Sequence, residues 1–237
     1  MRKFITKAAA LAAAVIMVSS CFLDDTLQYN VMEICTVDNA SRLLTDEGIT
    51  FNIVENNISY QLKAGVRVLA TCDVLKPTDN KTGEYDIRLK ECSGVDIVEI
   101  LSSEKPESFG ADGINLYDGW MRNGYINVQY HYTKVSESKT VHDINLVYDE
   151  LRSNADTAKF YLVHNEHGDG FSNENVKLSD CVVVSGLVSY PVENFVPKDS
   201  RRFVELNWKW FEAGTNGILT KTLEEHKGYL RNKEQTN

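Results

Sequence analysis

His164, Glu166, His167 and Asp169 stand within six consecutive residues, HNEHGD, the densest group of ligand-type side chains in the chain. Imidazole nitrogens and carboxylates are zinc ligands, and HxxH spacing on a loop lets two imidazoles converge. A carboxylate-rich loop can instead hold calcium. A metal-assisted hydrolase is the chemistry such a site would serve. The same residues also spell a turn, because Asn165, Gly168 and Asp169 favour turn conformations and histidine is common in polar loops. Neither a second His pair nor an HExxH on a helix accompanies them. The turn is therefore preferred, and no catalytic residue, metal or cofactor is expected. His131 and His142 lie in predicted strands and read as sheet-face residues rather than ligands.

Other catalytic patterns are missing. A serine hydrolase needs an exposed nucleophile on a strained turn, as in GxSxG, and none is present. Ser185-Gly186 falls inside a predicted strand, where glycine marks a bulge. No GxGxxG or P-loop pattern occurs. Carboxylates are abundant because the chain is acidic, so their number does not argue for a glycosidase pair.

Cys21 carries a more specific chemistry. Arg2, Lys3 and Lys7 form a positive n-region, and Ala8–Val18 follows as an apolar run of eleven residues. That length suits a signal-peptide core and is too short for a bilayer-spanning anchor. Val18-Ser19-Ser20-Cys21 then resembles the bacterial lipobox, in which the chain is cut before the cysteine and the thiol is acylated. Two or more acyl chains make membrane residence stable where one does not. Asp24 and Asp25 come directly afterwards and resemble the acidic export signal that sends some lipoproteins to the outer face of the outer membrane. The expectation is an outer-membrane lipoprotein, exposed at the cell surface, with covalent lipid on Cys21 and the bilayer as its first partner.

Composition agrees with an anchored globular protein. The chain has 237 residues, 43% hydrophobic and 25% charged, which excludes a disordered or polytopic membrane protein. Lys and Arg total 25 against 34 Asp and Glu, a net charge of −9. Removing residues 1–20 takes away three cations, leaving 22 against 34 and a net −12. Such a chain is a poor phosphate-backbone binder, so nucleic acid is not an expected partner. Anionic headgroups would repel it, so lipid rather than charge must hold it at the membrane.

The elements that position these residues are strands. Residues 21–30 read as an acidic tether. From Val31 the apolar pattern has period two: Val31–Val37, a hairpin over Arg42–Val54, and Gly65–Leu75 with Val66, Val68, Ala70, Cys72 and Val74 on one face. Tyr85–Lys90 and Val95–Leu101 complete a set read as five antiparallel strands. This predicts an all-β first domain, residues 31–102, forming a small Greek-key barrel of the OB type. Residues 103–115, with Pro106, Gly110 and Gly113, read as a linker. Residues 116–237 are predicted to form an antiparallel β-sandwich. Its strands include Tyr125–Tyr132, His142–Tyr148, Lys159–Val163, Cys181–Tyr190 and Arg202–Phe211. The one helical patch is Thr220–Arg231.

Beyond Cys21 there are four more cysteines: Cys35, Cys72, Cys92 and Cys181. One bridge within the first domain is open to them in an oxidising envelope, and burial as small hydrophobes is the preferred alternative. Tyr117, Trp120 and Tyr125 are candidates to stack on a sugar or pack on a partner, with Trp120 better read as a linker plug sealing the two domains.

Several stretches together resemble the NigD-like lipoproteins: Gly65-Val-Arg-Val-Leu, Val95-Asp-Ile-Val-Glu-Ile-Leu, Gly124-Tyr-Ile-Asn-Val-Gln-Tyr, Lys139-Thr-Val-His-Asp-Ile-Asn-Leu-Val and His164-Asn-Glu-His-Gly-Asp. Gly170–Asp180 departs as an insertion-like run. The resemblance implies an OB-type domain followed by a β-sandwich, a lipoprotein facing the periplasm or surface, and no established enzyme activity. It also implies a family name taken from a bacteriocin-associated operon. Three functions follow in order: a non-catalytic binding or scaffold protein whose partner is an envelope protein or glycan, a metal-assisted hydrolase on the His164–Asp169 loop, and a bacteriocin-system component.

Overall fold

The computed structural model describes residues 28–59, 61–78, 81–197, 202–214 and 218–230. Cys21, Asp24 and Asp25 lie outside them. The chain forms two compact units, Met1–Ser93 and Gly94–Asn237.

The first unit holds β1 (Gln28–Asn39), β2 (Arg42–Thr45), β3 (Thr50–Asn56), β4 (Arg67–Pro77) and β5 (Glu84–Gly94). They close into a barrel in the order β1-β2-β3-β5-β4, with β1 returning to β4. The β3–β5 pair is parallel, and this crossover makes the meander a Greek key of the OB type. The expected hairpin supplies both β2 and β3. Its turn is closed by Thr45, whose N–H donates to the Ile49 carbonyl at 2.9 Å and whose hydroxyl accepts the Ile49 N–H at 3.1 Å. Gly48 takes the positive φ of 78° that the turn requires.

On β4 the predicted alternation holds for Val68, Ala70, Cys72 and Val74, all buried. Val66 departs from it and is exposed, because the strand starts at Arg67 and Val66 belongs to the preceding turn. Arg67 is itself buried and joins Asp46 through two hydrogen bonds, at 2.9 and 2.7 Å.

Cys35 and Cys72 are fully buried in the barrel core, and none of the four described cysteines forms a disulfide. Burial pushes the Cys35 thiol well up and that of Cys72 to about 12. Since the thiolate is the reactive form, iodoacetamide at mildly alkaline pH is expected to modify, among the described cysteines, only Cys92 and Cys181 in the folded chain. Cys35 and Cys72 should react only after denaturation, as mass spectrometry of tryptic peptides would reveal.

The second unit contains β6 (Asp96–Ile97), β7 (Leu101–Ser103), β8 (Ile114–Arg122), β9 (Tyr125–Val135), β10 (Asp143–Asp149), β11 (Thr157–Asn165), β12 (Cys181–Pro191), β13 (Phe203–Ala213) and β14 (Leu219–Leu230). One sheet runs β14-β13-β11-β10-β7 and the other β6-β12-β9-β8. Ile114, Ile126, Val128, Leu146, Phe160 and Leu206 fill the space between them. Tyr148, Phe160 and Phe195 form an aromatic knot, with ring centroids 4.9–6.1 Å apart.

Four expectations need correction. Val95–Leu101 does not complete the barrel. It splits into β6, which pairs in parallel with β12, and β7, which pairs in parallel with β10. Residues 103–115 are not a linker but part of the second unit. There Pro106–Phe109 makes a 3-10 turn, and a Cβ on Gly113 would come within 2.7 Å of the Phe211 ring. The sandwich is not wholly antiparallel, since β11–β13 is also a parallel pair.

The patch Thr220–Arg231 is not helical over its described residues, which end at Leu230. They belong to β14, paired with β13 from Ala213↔Leu219 to Val204↔Leu230. Lys221, Glu224, Glu225 and Lys227 suit a helix surface by composition, but they equally suit an edge strand that must not recruit a neighbour. Pairing with β13 decides between them, helped by Trp208 stacking on the opposite His226 at 5.7 Å.

Candidate functional site

β10 and β11 pair antiparallel, with Asp143 opposite Asn165 and Ile144 opposite His164. His164 is thus the penultimate residue of a strand, not a loop residue, and it is fully buried. β11 ends at Asn165, and His167 and Gly168 then both take positive φ, 51° and 76°. The Asp169 N–H donates to the Glu166 carbonyl at 2.9 Å, closing the turn. This fold-back brings Asp169 to His142, which immediately precedes β10.

A row of hydrogen bonds results. His164 Nδ1 lies 2.9 Å from the Gly113 carbonyl, His164 Nε2 lies 2.9 Å from His142 Nδ1, and His142 Nε2 lies 3.2 Å from Asp169 Oδ2. The Gly113 carbonyl only accepts, so His164 carries its proton on Nδ1. The two imidazoles meet edge to edge, inclined by 30° with centroids 5.0 Å apart, and the Tyr132 ring of β9 sits 4.8 Å from each. Burial lowers the His164 pKa from 6.5 to about 4 despite the Gly113 carbonyl pulling the other way. Burial, and then the Asp169 carboxylate, push the Tyr132 phenol up.

Glu166 is buried beside this row and organises the following loop. It accepts backbone N–H groups from Asn173 at 2.8 Å and Ser172 at 3.3 Å, and its own N–H donates to Asp112 at 2.8 Å. Burial, and then Asp112, raise its pKa, against the pull of those N–H donors. A Cβ on Gly170 would lie 2.2 Å from the Glu166 carboxylate and 2.7 Å from the Thr133 carbonyl, so only glycine lets the chain pass. Phe171 packs against Phe211 at 5.1 Å, and Lys221 lies over the Phe171 ring while donating to the Asn173 and Val176 carbonyls. The connection Glu166–Asp180, fifteen residues between β11 and β12, is therefore held at several points.

The HxxH pair does not converge. His164 turns inward to His142, whereas exposed His167 reaches Asp143 at 2.8 Å. Among the described residues, no group of three or more His, Cys, Asp or Glu is placed to hold a metal ion. His142, read as a sheet-face residue, instead stands at the centre of the cluster. Tyr132 and Gly113 belong to it as well, and nothing in their spacing announces this. His131 does lie on a sheet face, accepting from Asn115 at 3.2 Å and meeting Trp210 edge-on at 5.0 Å.

The aromatic candidates separate. Tyr117 is 65% exposed because a bulge in β8 between Leu116 and Asp118 leaves it without a partner on β9. Trp120 and Tyr125 are half-buried. Gly186 is no bulge. The β9–β12 register runs through it unbroken, and the Tyr130 hydroxyl would lie 2.5 Å from a Cβ there.

The sequence pattern of a family described as the NigD-like C-terminal beta sandwich domain matches residues 96–221. Comparison with curated proteins returns no match. Among solved structures, a protein of unknown function from Bacteroides vulgatus is similar with a TM-score of 0.65 at 22% identity, covering 90% of this chain and 95% of that one. A NigD-like immunity protein from Bacteroides caccae aligns with a TM-score of 0.53 at 13% identity, covering 87% and 94%. A candidate lipoprotein from Bacteroides fragilis aligns at 0.55 and 13%, covering 86% and 98%. At these identities the structural likeness speaks for the shared all-β fold.

Proposed function

We propose, because the chain belongs to the NigD-like family, that it is a non-catalytic binding or scaffold lipoprotein of the cell envelope. The observation that carries the non-catalytic part is how the HNEHGD side chains are used. His164 and Asp169 are bonded to His142, Glu166 to the backbone of its own loop, and His167 to Asp143. All four ring nitrogens of His142 and His164 are engaged inside the fold, so neither imidazole presents a nitrogen to a substrate or a metal at the surface. A rigidly supported loop at the end of a sandwich is a binding platform of a common kind, and specificity then lies in what it displays.

Anchoring through acylated Cys21 is supported by the positive n-region, the apolar run Ala8–Val18 and the placement of the cysteine. A similar fold in a candidate lipoprotein agrees with it. Asp24 and Asp25 favour the outer face of the outer membrane, with an envelope protein or a glycan as partner.

Metabolic palmitate labelling combined with protease shaving of intact cells tests the address. The wild type should incorporate label and be digested from outside, while Cys21→Ala should do neither. Unlabelled wild-type protein would remove the anchor, and labelled but fully protected protein would remove the surface location. In vivo crosslinking of the anchored protein tests the role, a defined envelope partner being the expected product.

A further inference from the structure

The row from Gly113 through His164 and His142 to Asp169 has three hydrogen bonds, and each needs one proton between its heavy atoms. The carbonyl supplies none. The filled row therefore holds three protons shared among two imidazoles and one carboxyl group. That count corresponds to no net charge, whether as two neutral rings with a carboxylic acid or as one imidazolium with a carboxylate.

Two neutral rings and a carboxylate hold only two protons. One contact then sets lone pair against lone pair: His142 Nε2 against Asp169 Oδ2 when His142 carries its proton on Nδ1, or ring against ring when it carries it on Nε2. A fourth proton fails in a different way. It either sets N–H against N–H between the rings or leaves a buried imidazolium with no counter-charge. Both departures are costly because His142 and His164 are buried.

Asp169 is the end that can leave. Its side chain is 11% exposed, whereas that of His142 is 0% exposed. Its carbonyl also accepts the Val135 N–H at 2.9 Å, tying the loop to the end of β9. The groups that face the row from each neighbouring element are Tyr132 on β9, Asp112 ahead of β8, Glu166 and His167 in the turn, and Cys181 at the head of β12. Lys134 stands nearby, its ammonium donating to the Thr140 carbonyl. None of these inserts between the bonded atoms of the row.

We propose that this row is a proton-counting latch, which holds the Asp169 end of the loop Glu166–Asp180 against the sandwich at three protons and loosens it when a proton is gained or lost. The latch does not depend on what the loop binds, so it can fail without affecting the binding reading, and the reverse. Acid release has independent support. Between the ordinary 6.5 of histidine and about 4, the released state takes up the proton more readily than the latched His164, so the latched state weakens as pH falls.

Asp169→Asn separates the arms. Its amide N–H can donate to His142 Nε2 and supply the third hydrogen permanently. Amide hydrogen exchange of the full chain, corrected for intrinsic rates, should be followed from about pH 4 to about pH 9 at Val135, Phe171 and Asn173. In the wild type, protection at these amides should peak and fall about tenfold on each side, while Leu146 and Leu162 keep theirs. In Asp169→Asn the alkaline fall should vanish and the acid fall remain. Nitrogen NMR of the wild-type imidazoles gives a second reading that needs no variant: His164 should be the neutral Nδ1–H form. Flat wild-type protection, an alkaline fall that survives in Asp169→Asn, or His164 protonated at Nε2 alone would each overturn the latch.

Discussion

Asp46→Ala is expected to destabilise the barrel by about 3–5 kcal/mol, the range for removing one member of a buried ion pair. The Arg67 and Asp46 side chains are 0% and 4% exposed and are joined by two parallel bonds, with Thr36 a further acceptor at 3.4 Å. The cost is mostly that of leaving a guanidinium in the barrel core without its carboxylate. The pair itself contributes much less, because both groups lose hydration to make it. Replacing both partners by apolar residues, Arg67→Met with Asp46→Leu, should therefore be far milder than either charge deletion alone. Urea unfolding followed by hydrogen exchange at Phe51, Ile87 and Leu89 would measure this. A double variant as unstable as Asp46→Ala would contradict the account.

Glu166→Ala should weaken the attachment of the Glu166–Asp180 loop by about 3 kcal/mol, since each hydrogen bond to a charged group contributes about 1.5–3 kcal/mol and both are lost. Ser172 and Asn173 lose the carboxylate together, Asn173 keeping only the Gly170 carbonyl at 3.2 Å. Glu166→Gln keeps a carbonyl oxygen in the same place and should cost about half as much. The loop leads from the end of β11 to the start of β12, so the sandwich core should survive. The expected signature is faster exchange at Ser172 and Asn173 and new proteolysis after Lys177, with the melting of the core nearly unchanged. Equal effects of Ala and Gln would mean that the side chain acts by filling space rather than by accepting hydrogen bonds.

Both predictions concern ionisable residues enclosed by the fold, and the sequence marks Glu166 but is silent about the pairing of Arg67 with Asp46. Arg67 lies within a strand whose pattern is otherwise plain, and Asp46 reads as a turn residue. Nothing in their spacing indicates that the barrel brings the two together. His142 is similar. It precedes a strand and looks like an ordinary polar residue, yet its two ring nitrogens meet residues 22 and 27 positions away. The HNEHGD phrase did mark the right neighbourhood. Its composition is unusual for a turn, and the turn it encodes through Gly168 is what returns Asp169 to the sheet. Its chemistry was not readable, because HxxH spacing predicts convergence only if both residues lie on one loop, and the strand extends far enough to take His164 away.

Strand locations were legible wherever one face is buried and the other wet. Val68, Ala70, Cys72 and Val74 show this, and so do Ile126 and Val128. Alternation is a local property: successive side chains of an extended chain point to opposite faces whatever the strand pairs with. The all-β class, two groups of strands and the hairpin through Gly48 follow from that alone. Strand partners are not local. Whether Val95–Leu101 closes the barrel or joins the sandwich depends on backbone hydrogen bonds to β12 and β10, about 50 to 90 residues further on. The same holds for β14, whose residues have helix-forming composition and become a strand because β13 offers an unpaired edge. Tertiary structure decided which groups share an interior, and there the low polarity of the surroundings turns a histidine pair, a carboxylate and a backbone carbonyl into one proton-sharing unit.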